Sequence, residues 1–180
     1  MAVAETILIA ATPECVWALI DDPELLPLWM PDVIETIYPD GRPSASLVGT
    51  RFAQRVRERG RVTEYQGVVT GYDLGHYLAI DLTQPMFKIS VAYRLSPAPT
   101  GTRLDFTGDL VMHNPLMNLM ATAAWPLTRS ILKRQISDLK RVAEALPPAA
   151  VTHTPMLKTA PSKTAGAKPR RIAAKRKSRS

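Results

Sequence analysis

Ala11-Thr12-Pro13-Glu14-Cys15-Val16-Trp17-Ala18-Leu19-Ile20-Asp21-Asp22-Pro23-Glu24-Leu25-Leu26-Pro27-Leu28-Trp29-Met30-Pro31-Asp32 is the stretch on which the fold turns. It follows the β-like run Thr6-Ile7-Leu8-Ile9 and sets two short helical segments between prolines. Thr12 is placed to cap a helix that starts at Pro13, because proline has no amide to leave unpaired there. Glu14 adds negative charge in the first turn, where exposed amides favour it. Val16, Leu19 and Ile20 fall on one face. Asp22-Pro23 ends the helix, and Glu24 to Trp29 forms a second, interrupted turn. A strand followed by a pair of short helices suggests a sheet wrapped around something.

Working outward, charge divides the chain near Leu146. Residues 1–146 hold all 16 acidic residues and 14 of the 23 Lys and Arg, a net charge of −2, whereas residues 147–180 carry +9 and no acid. The pI near 9.8 is therefore set by the tail. The first part has the length of one domain, enough to bury roughly 70% of its unfolded surface. Its charge does not suggest nucleic-acid binding. The tail is rich in Ala, Pro, Lys, Arg, Ser and Thr. Such a segment has too little apolar surface to offset ordering entropy, so residues 147–180 are expected to be a disordered basic appendage, at least from Lys158 on. A single cysteine, Cys15, excludes an intrachain disulfide and fits a reducing compartment. No secretory signal opens the chain and no apolar run nears ~18 residues, so the expected location is the cytoplasm.

After Asp32 the pattern is β. Val33 to Tyr38, Gly49 to Arg59, Arg61 to Tyr72, Tyr77 to Thr83, Phe87 to Leu95 and Thr102 to Met112 read as strands between Gly- and Pro-marked turns. The clearest alternation puts Phe87, Ile89, Val91, Tyr93 and Leu95 on one face and Lys88, Ser90, Ala92 and Arg94 on the other. Leu104, Phe106 and Leu110 repeat it. From Pro115 to Leu146 the period becomes helical, with Leu116, Leu119, Met120, Ala123, Leu127, Ile131, Leu139, Val142 and Leu146 on one side. Pro126 is expected to kink this helix or divide it. The outcome is an α+β domain: a curved antiparallel sheet of about seven strands, two short helices after strand 1, and a long C-terminal helix against the concave face.

This order resembles the START-like superfamily with the helix-grip fold, the SRPBCC group that includes birch-pollen-allergen-like proteins and the polyketide cyclase/dehydrase family. The likeness is carried by Ala11 to Trp17, by Asp22 to Pro31, by Gly49-Thr50, Val69-Thr70-Gly71-Tyr72-Asp73 and Gly101-Thr102-Arg103-Leu104, and by Leu139-Lys140-Arg141 on the last helix. It spans roughly residues 3–146. It implies a cavity for a lipid, sterol, polyketide or other hydrophobic ligand. Some members cyclise or dehydrate polyketides and others carry or sense a ligand, and fold alone does not select among these.

Chemistry-bearing residues are sparse. His76, His113 and His153 are isolated, Cys15 has no metal-spacing partner, and no Gly-rich phosphate loop or nucleophile elbow is present, so no metal or cofactor is expected. Tyr93, on the apolar face of the best strand, is a candidate proton donor or carbonyl-orienting group; its structural alternative is a core tyrosine. Tyr65 is a weaker candidate of that kind. Glu64 would be a general acid or base if its face of the strand were concave, and a solvated glutamate otherwise. His113, between the last strand and the long helix, stands near an expected cavity mouth, with an exposed loop histidine as the alternative. Arg51, Arg55, Arg57, Arg59 and Arg61 are five arginines in 11 residues. They suit an acidic ligand or a solvated strand face that protects a sheet edge. Met30, Met86, Met112, Met117 and Met120 suit either core or an adaptable lining.

The expected ligand-binding or core set is Phe87, Ile89, Val91, Tyr93, Leu104, Phe106, Met120 and Leu127. The reading is of a protein that binds or transports a hydrophobic small molecule, which enters between the long helix and the strand-connecting loops. A cyclase or dehydratase using Tyr93 or Glu64 is the enzymatic alternative. A third class is a protein that contacts nucleic acid or anionic membrane electrostatically through its basic tail.

Overall fold

The structure, a computed structural model, describes residues 2–43 and 46–146, without the side chains of 115–124 and of Leu127. The expected basic tail, residues 147–180, lies outside the described residues. Strand β1 (Ala2–Ile9) leads into helix α1 (Pro13–Asp21) and a single 3₁₀ turn at Leu26–Leu28. Strands β2 (Val33–Ile37), β3 (Arg51–Glu58), β4 (Arg61–Asp73), β5 (Tyr77–Thr83), β6 (Phe87–Ala98) and β7 (Gly101–Met112) follow, then helix α2 (Pro115–Ala145). The seven strands form one antiparallel sheet in the order β1-β7-β6-β5-β4-β3-β2. Each strand after β2 pairs with the next, and β1 closes on β7 as an outer neighbour.

The opening stretch folds as its capping chemistry requires. The Thr12 hydroxyl accepts from the Cys15 amide at 3.4 Å, Pro13 occupies the first turn, and α1 buries Cys15 to Asp21 without a break. Trp29, buried after the 3₁₀ turn, donates its indole N–H to the Leu19 carbonyl at 2.7 Å and so fixes the turn against α1. The Trp17 indole N–H is buried with no hydrogen-bond partner among the described residues, its ring 5.7 Å from that of Tyr72.

Helix α2 is one continuous element, with Pro126 inside it, rather than two pieces. Pro126 is exposed. Further along, Ile136, Leu139 and Ala143 are buried against β1, β7 and α1. Lys140 Nζ donates to the Leu8 carbonyl at 2.6 Å, and the Ala10 amide donates to Glu144 at 2.9 Å. Under this clamped half the core is closed: Val16, Leu19, Leu104 and Leu139 have no exposed surface. Toward β2 to β5 the helix stands away from the sheet.

Two register shifts decide what faces inward. In β2 the shift between Val33 and Glu35 turns Val33 and Thr36 inward and leaves Ile34 and Glu35 exposed. In β4 the shift between Val69 and Gly71 inserts Thr70 and returns Tyr72 to the face of Val69. Such bulges bend a strand and re-aim the side chains that follow.

Candidate functional site: an apolar cavity with a buried ion pair

Between the sheet and α2 lies a cavity of about 560 Å³. Its floor is the inward face of five strands: Val33 and Thr36 from β2, Phe52 and Val56 from β3, Tyr65 and Val69 from β4, Leu78, Ile80 and Leu82 from β5, and Ile89, Val91 and Tyr93 from β6. Leu26, Trp29 and Met30 wall it on the side of the 3₁₀ turn, and Thr128, Ile131, Leu132, Gln135 and Asp138 of α2 border it above. Ile131 keeps 51% of its surface exposed, as expected of a helix that spans an opening rather than seals it. Gly67 makes part of the floor possible. A Cβ there would collide with the Phe52 ring, so the ring lies where a side chain would otherwise stand.

Of the expected ligand set, Ile89, Val91 and Tyr93 line the cavity. Leu104 and Phe106 do not. They belong to the closed core, at 0% and 2% exposure, because β7 lies under the clamped half of α2. Phe87 is half-buried beside Tyr65, ring centres 6.2 Å apart, and is not a wall residue. The side chains of Met120 and Leu127 lie outside the described residues, as does that of Met117. Among the other methionines, Met30 lines the cavity while Met86 is half-exposed.

The proton-handling candidates separate. Tyr93 marks the border between cavity and core, edge-on to Trp29 at 6.3 Å and 5.3 Å from Phe106. Burial raises its phenol well above the usual range, so at neutral pH it is a donor and not a base. Glu64 stands on the opposite face of the sheet. The concave face of β4 carries Tyr65, Gly67 and Val69, and parity sends Glu64 outward, where Arg55 holds it at 3.2 Å. His113 is exposed and bonds the Pro85 carbonyl through Nδ1 at 3.1 Å, tying two connections together away from the cavity wall. His76 sits in the turn before β5, not in the strand. The arginine run is a convex feature where it is paired: Arg55 bridges Glu35 at 2.7 Å and Glu64. No group of three or more His, Cys, Asp or Glu placed to hold a metal occurs among the described residues.

The polar groups that do reach the cavity lie elsewhere. Asp21, at the end of α1, has only 2% of its side chain exposed. It accepts from Arg42 and, at 3.4 Å, from the Tyr72 hydroxyl. Arg42 lies between Gly41, whose φ of 78° suits glycine, and Pro43. Burial works against the Arg42 charge, but the Asp21 carboxylate outweighs it and holds the guanidinium firmly protonated. The Arg42 guanidinium also lies over the Tyr38 ring, 6.0 Å from its centre. Burial, then the Asp21 charge, pushes Tyr72 up to about 12. Toward the other end, Tyr65 donates to Glu58, and Gln54 to Thr36 at 3.4 Å. Two faint local signs of the ion pair exist in the chain, a carboxylate continuing the apolar face of α1 and an arginine fixed between Gly and Pro; neither names its partner 21 residues away.

Comparison with solved structures places the fold. A START superfamily protein from Mycobacterium smegmatis is 21% identical, with a TM-score of 0.56 over 79% of this chain and 94% of that one. Ara h 8.0201 is 16% identical, with a TM-score of 0.57 over 77% and 97%. A protein of Thermus thermophilus is 18% identical, with a TM-score of 0.60 over 79% and 97%. At such identities the likeness is one of fold, the helix grip. No curated protein matches the sequence. A family model does: residues 1–144 match that of polyketide cyclase / dehydrase and lipid transport proteins, and the chain belongs to that family.

Proposed function

We propose that this protein binds or carries an apolar small molecule, of lipid or polyketide type, in the cavity between the sheet and α2. One observation carries the reading: a space of about 560 Å³, walled mostly by Leu, Ile, Val and aromatic side chains, in a domain whose core is otherwise closed. That volume suits a small-molecule site, typically some 300–1,000 Å³. A ligand burying ~300 Å² of apolar surface gains about 7 kcal/mol before association costs. Family membership supports the ligand class. Of the two candidates for the enzymatic alternative, Tyr93 borders the cavity and Glu64 faces the outside of the sheet, so that alternative rests on Tyr93 alone.

Native mass spectrometry of the full chain, purified gently from its own cell, tests this. The expected spectrum has a species heavier than 19.8 kDa by a small molecule that is lost on denaturation and extracts into organic solvent. A bare chain that also fails to take up the neutral apolar dye N-phenyl-1-naphthylamine would overturn the proposal.

A further inference from the structure

Arg42 is a wall residue with 29% of its side chain exposed, and it is the cation of a pair whose carboxylate, Asp21, borders the same cavity with only 2% of its side chain exposed. Asp21 occupies the last turn of α1, where the helix dipole disfavours a negative charge. Arg42 is the cation that offsets it, beside the Tyr72 hydroxyl, and the charge of Arg42 is committed to it. The guanidinium has five N–H donors. The bond to the Asp21 carboxylate does not use them all.

A ligand carboxylate brought to Arg42 would share one cation with Asp21 in a poorly solvated site. Its desolvation cost would be large and its attraction largely cancelled by the first carboxylate. The remaining wall does not help an anion: Asp32, Glu58 and Asp138 border the cavity against one further cation, Arg134, which already lies 3.8 Å from Asp138. A carbonyl oxygen meets none of this cost. It needs one donor, receives a charge-assisted hydrogen bond, and leaves the pair intact.

Building on the binding reading above, we infer that the cavity selects an uncharged amphiphile whose carbonyl oxygen sits on Arg42, and rejects the carboxylate of the same chain length. The pair works as a charge filter: Arg42 presents donors, and Asp21 removes the net positive charge that would draw an anion.

Displacement of N-phenyl-1-naphthylamine from the full-length protein tests this, with 2-undecanone and decanoate as competitors near pH 8, where decanoate is ionised. The ketone is expected to displace the dye at about tenfold lower concentration than decanoate. Asp21→Asn frees the charge of Arg42 and is expected to raise decanoate affinity about tenfold, erasing or reversing the preference. Arg42→Met is expected to weaken the ketone about fivefold more than it weakens the dye. Circular dichroism identifies an Arg42→Met chain that fails to fold, and Asp21→Asn then carries the test. Decanoate matching the ketone in the parent protein, or Asp21→Asn leaving decanoate unchanged, overturns the inference while the binding reading stands. A dye that does not bind at all removes both.

Discussion

Leucine-to-alanine substitution at two sites of similar burial separates a hollow interior from a filled one. Leu104 has 0% exposure and packs in the closed core, whereas Leu78 has 8% exposure but faces the cavity. Truncating a leucine packed on all sides costs its transfer free energy plus that of the void left behind, about 3–4 kcal/mol. Leu78 already lacks partners on its cavity side, so little new void forms and its truncation is expected to cost about 1–2 kcal/mol. For a domain of this size, 1 kcal/mol moves the melting temperature by roughly 2–4 °C, so the two variants differ by roughly 2–12 °C. Urea unfolding of Leu104→Ala and Leu78→Ala, with the denaturant slope checked for constancy, measures both. Equal losses of about 3 kcal/mol or more at both sites would refute the hollow interior.

Other outcomes follow from the same geometry. Gly67→Ala drives a Cβ into the Phe52 ring and is expected to cost about 1–3 kcal/mol and to shrink dye capacity by pushing the ring into the cavity; thermal melts and dye titration check both. Tyr93→Phe is expected to leave stability within about 1 kcal/mol and dye affinity within about twofold, measured by the same two methods, because its ring contacts persist. Tyr72 titrates near 12 in the folded chain against 10.0 when free, so its neutral form is favoured by folding. The stability it contributes is complete below pH 10 and is lost as pH rises toward 12, and Tyr72→Phe should lessen the slope of that part of a pH series of urea midpoints, to which the raised Tyr38, Tyr65 and Tyr93 also contribute. Glu144→Gln weakens the ties that Lys140 and the Ala10 amide make around it, and faster amide exchange in the last turns of α2 is the expected readout.

The fold was legible because its signals are local. Thr12 and Pro13 start a helix by chemistry that needs no tertiary context, and β6 alternates without interruption, so the inward set Ile89, Val91 and Tyr93 could be read from parity alone. The site was harder. Parity carries no sign: it groups Glu64 with Val62 and Gln66 but does not say which face is concave. Bulges break it altogether, and Tyr72 reaches Asp21 only because Thr70 is inserted. Leu104 and Phe106 alternate as well as the cavity residues do. What separates them is where α2 is clamped, which depends on Leu139, Ala143 and Lys140 meeting β1 and α1. The Asp21–Arg42 pair joins a helix end to a loop across 21 residues, a contact that no periodicity encodes.

The most direct test is a crystal soaked in 1,4-diiodobenzene and examined by iodine anomalous scattering. The account expects paired iodine peaks inside the sheet, among Phe52, Ile80, Val91 and Tyr93. Peaks confined to the outer surface, with side chains filling that space in the same map, would contradict it.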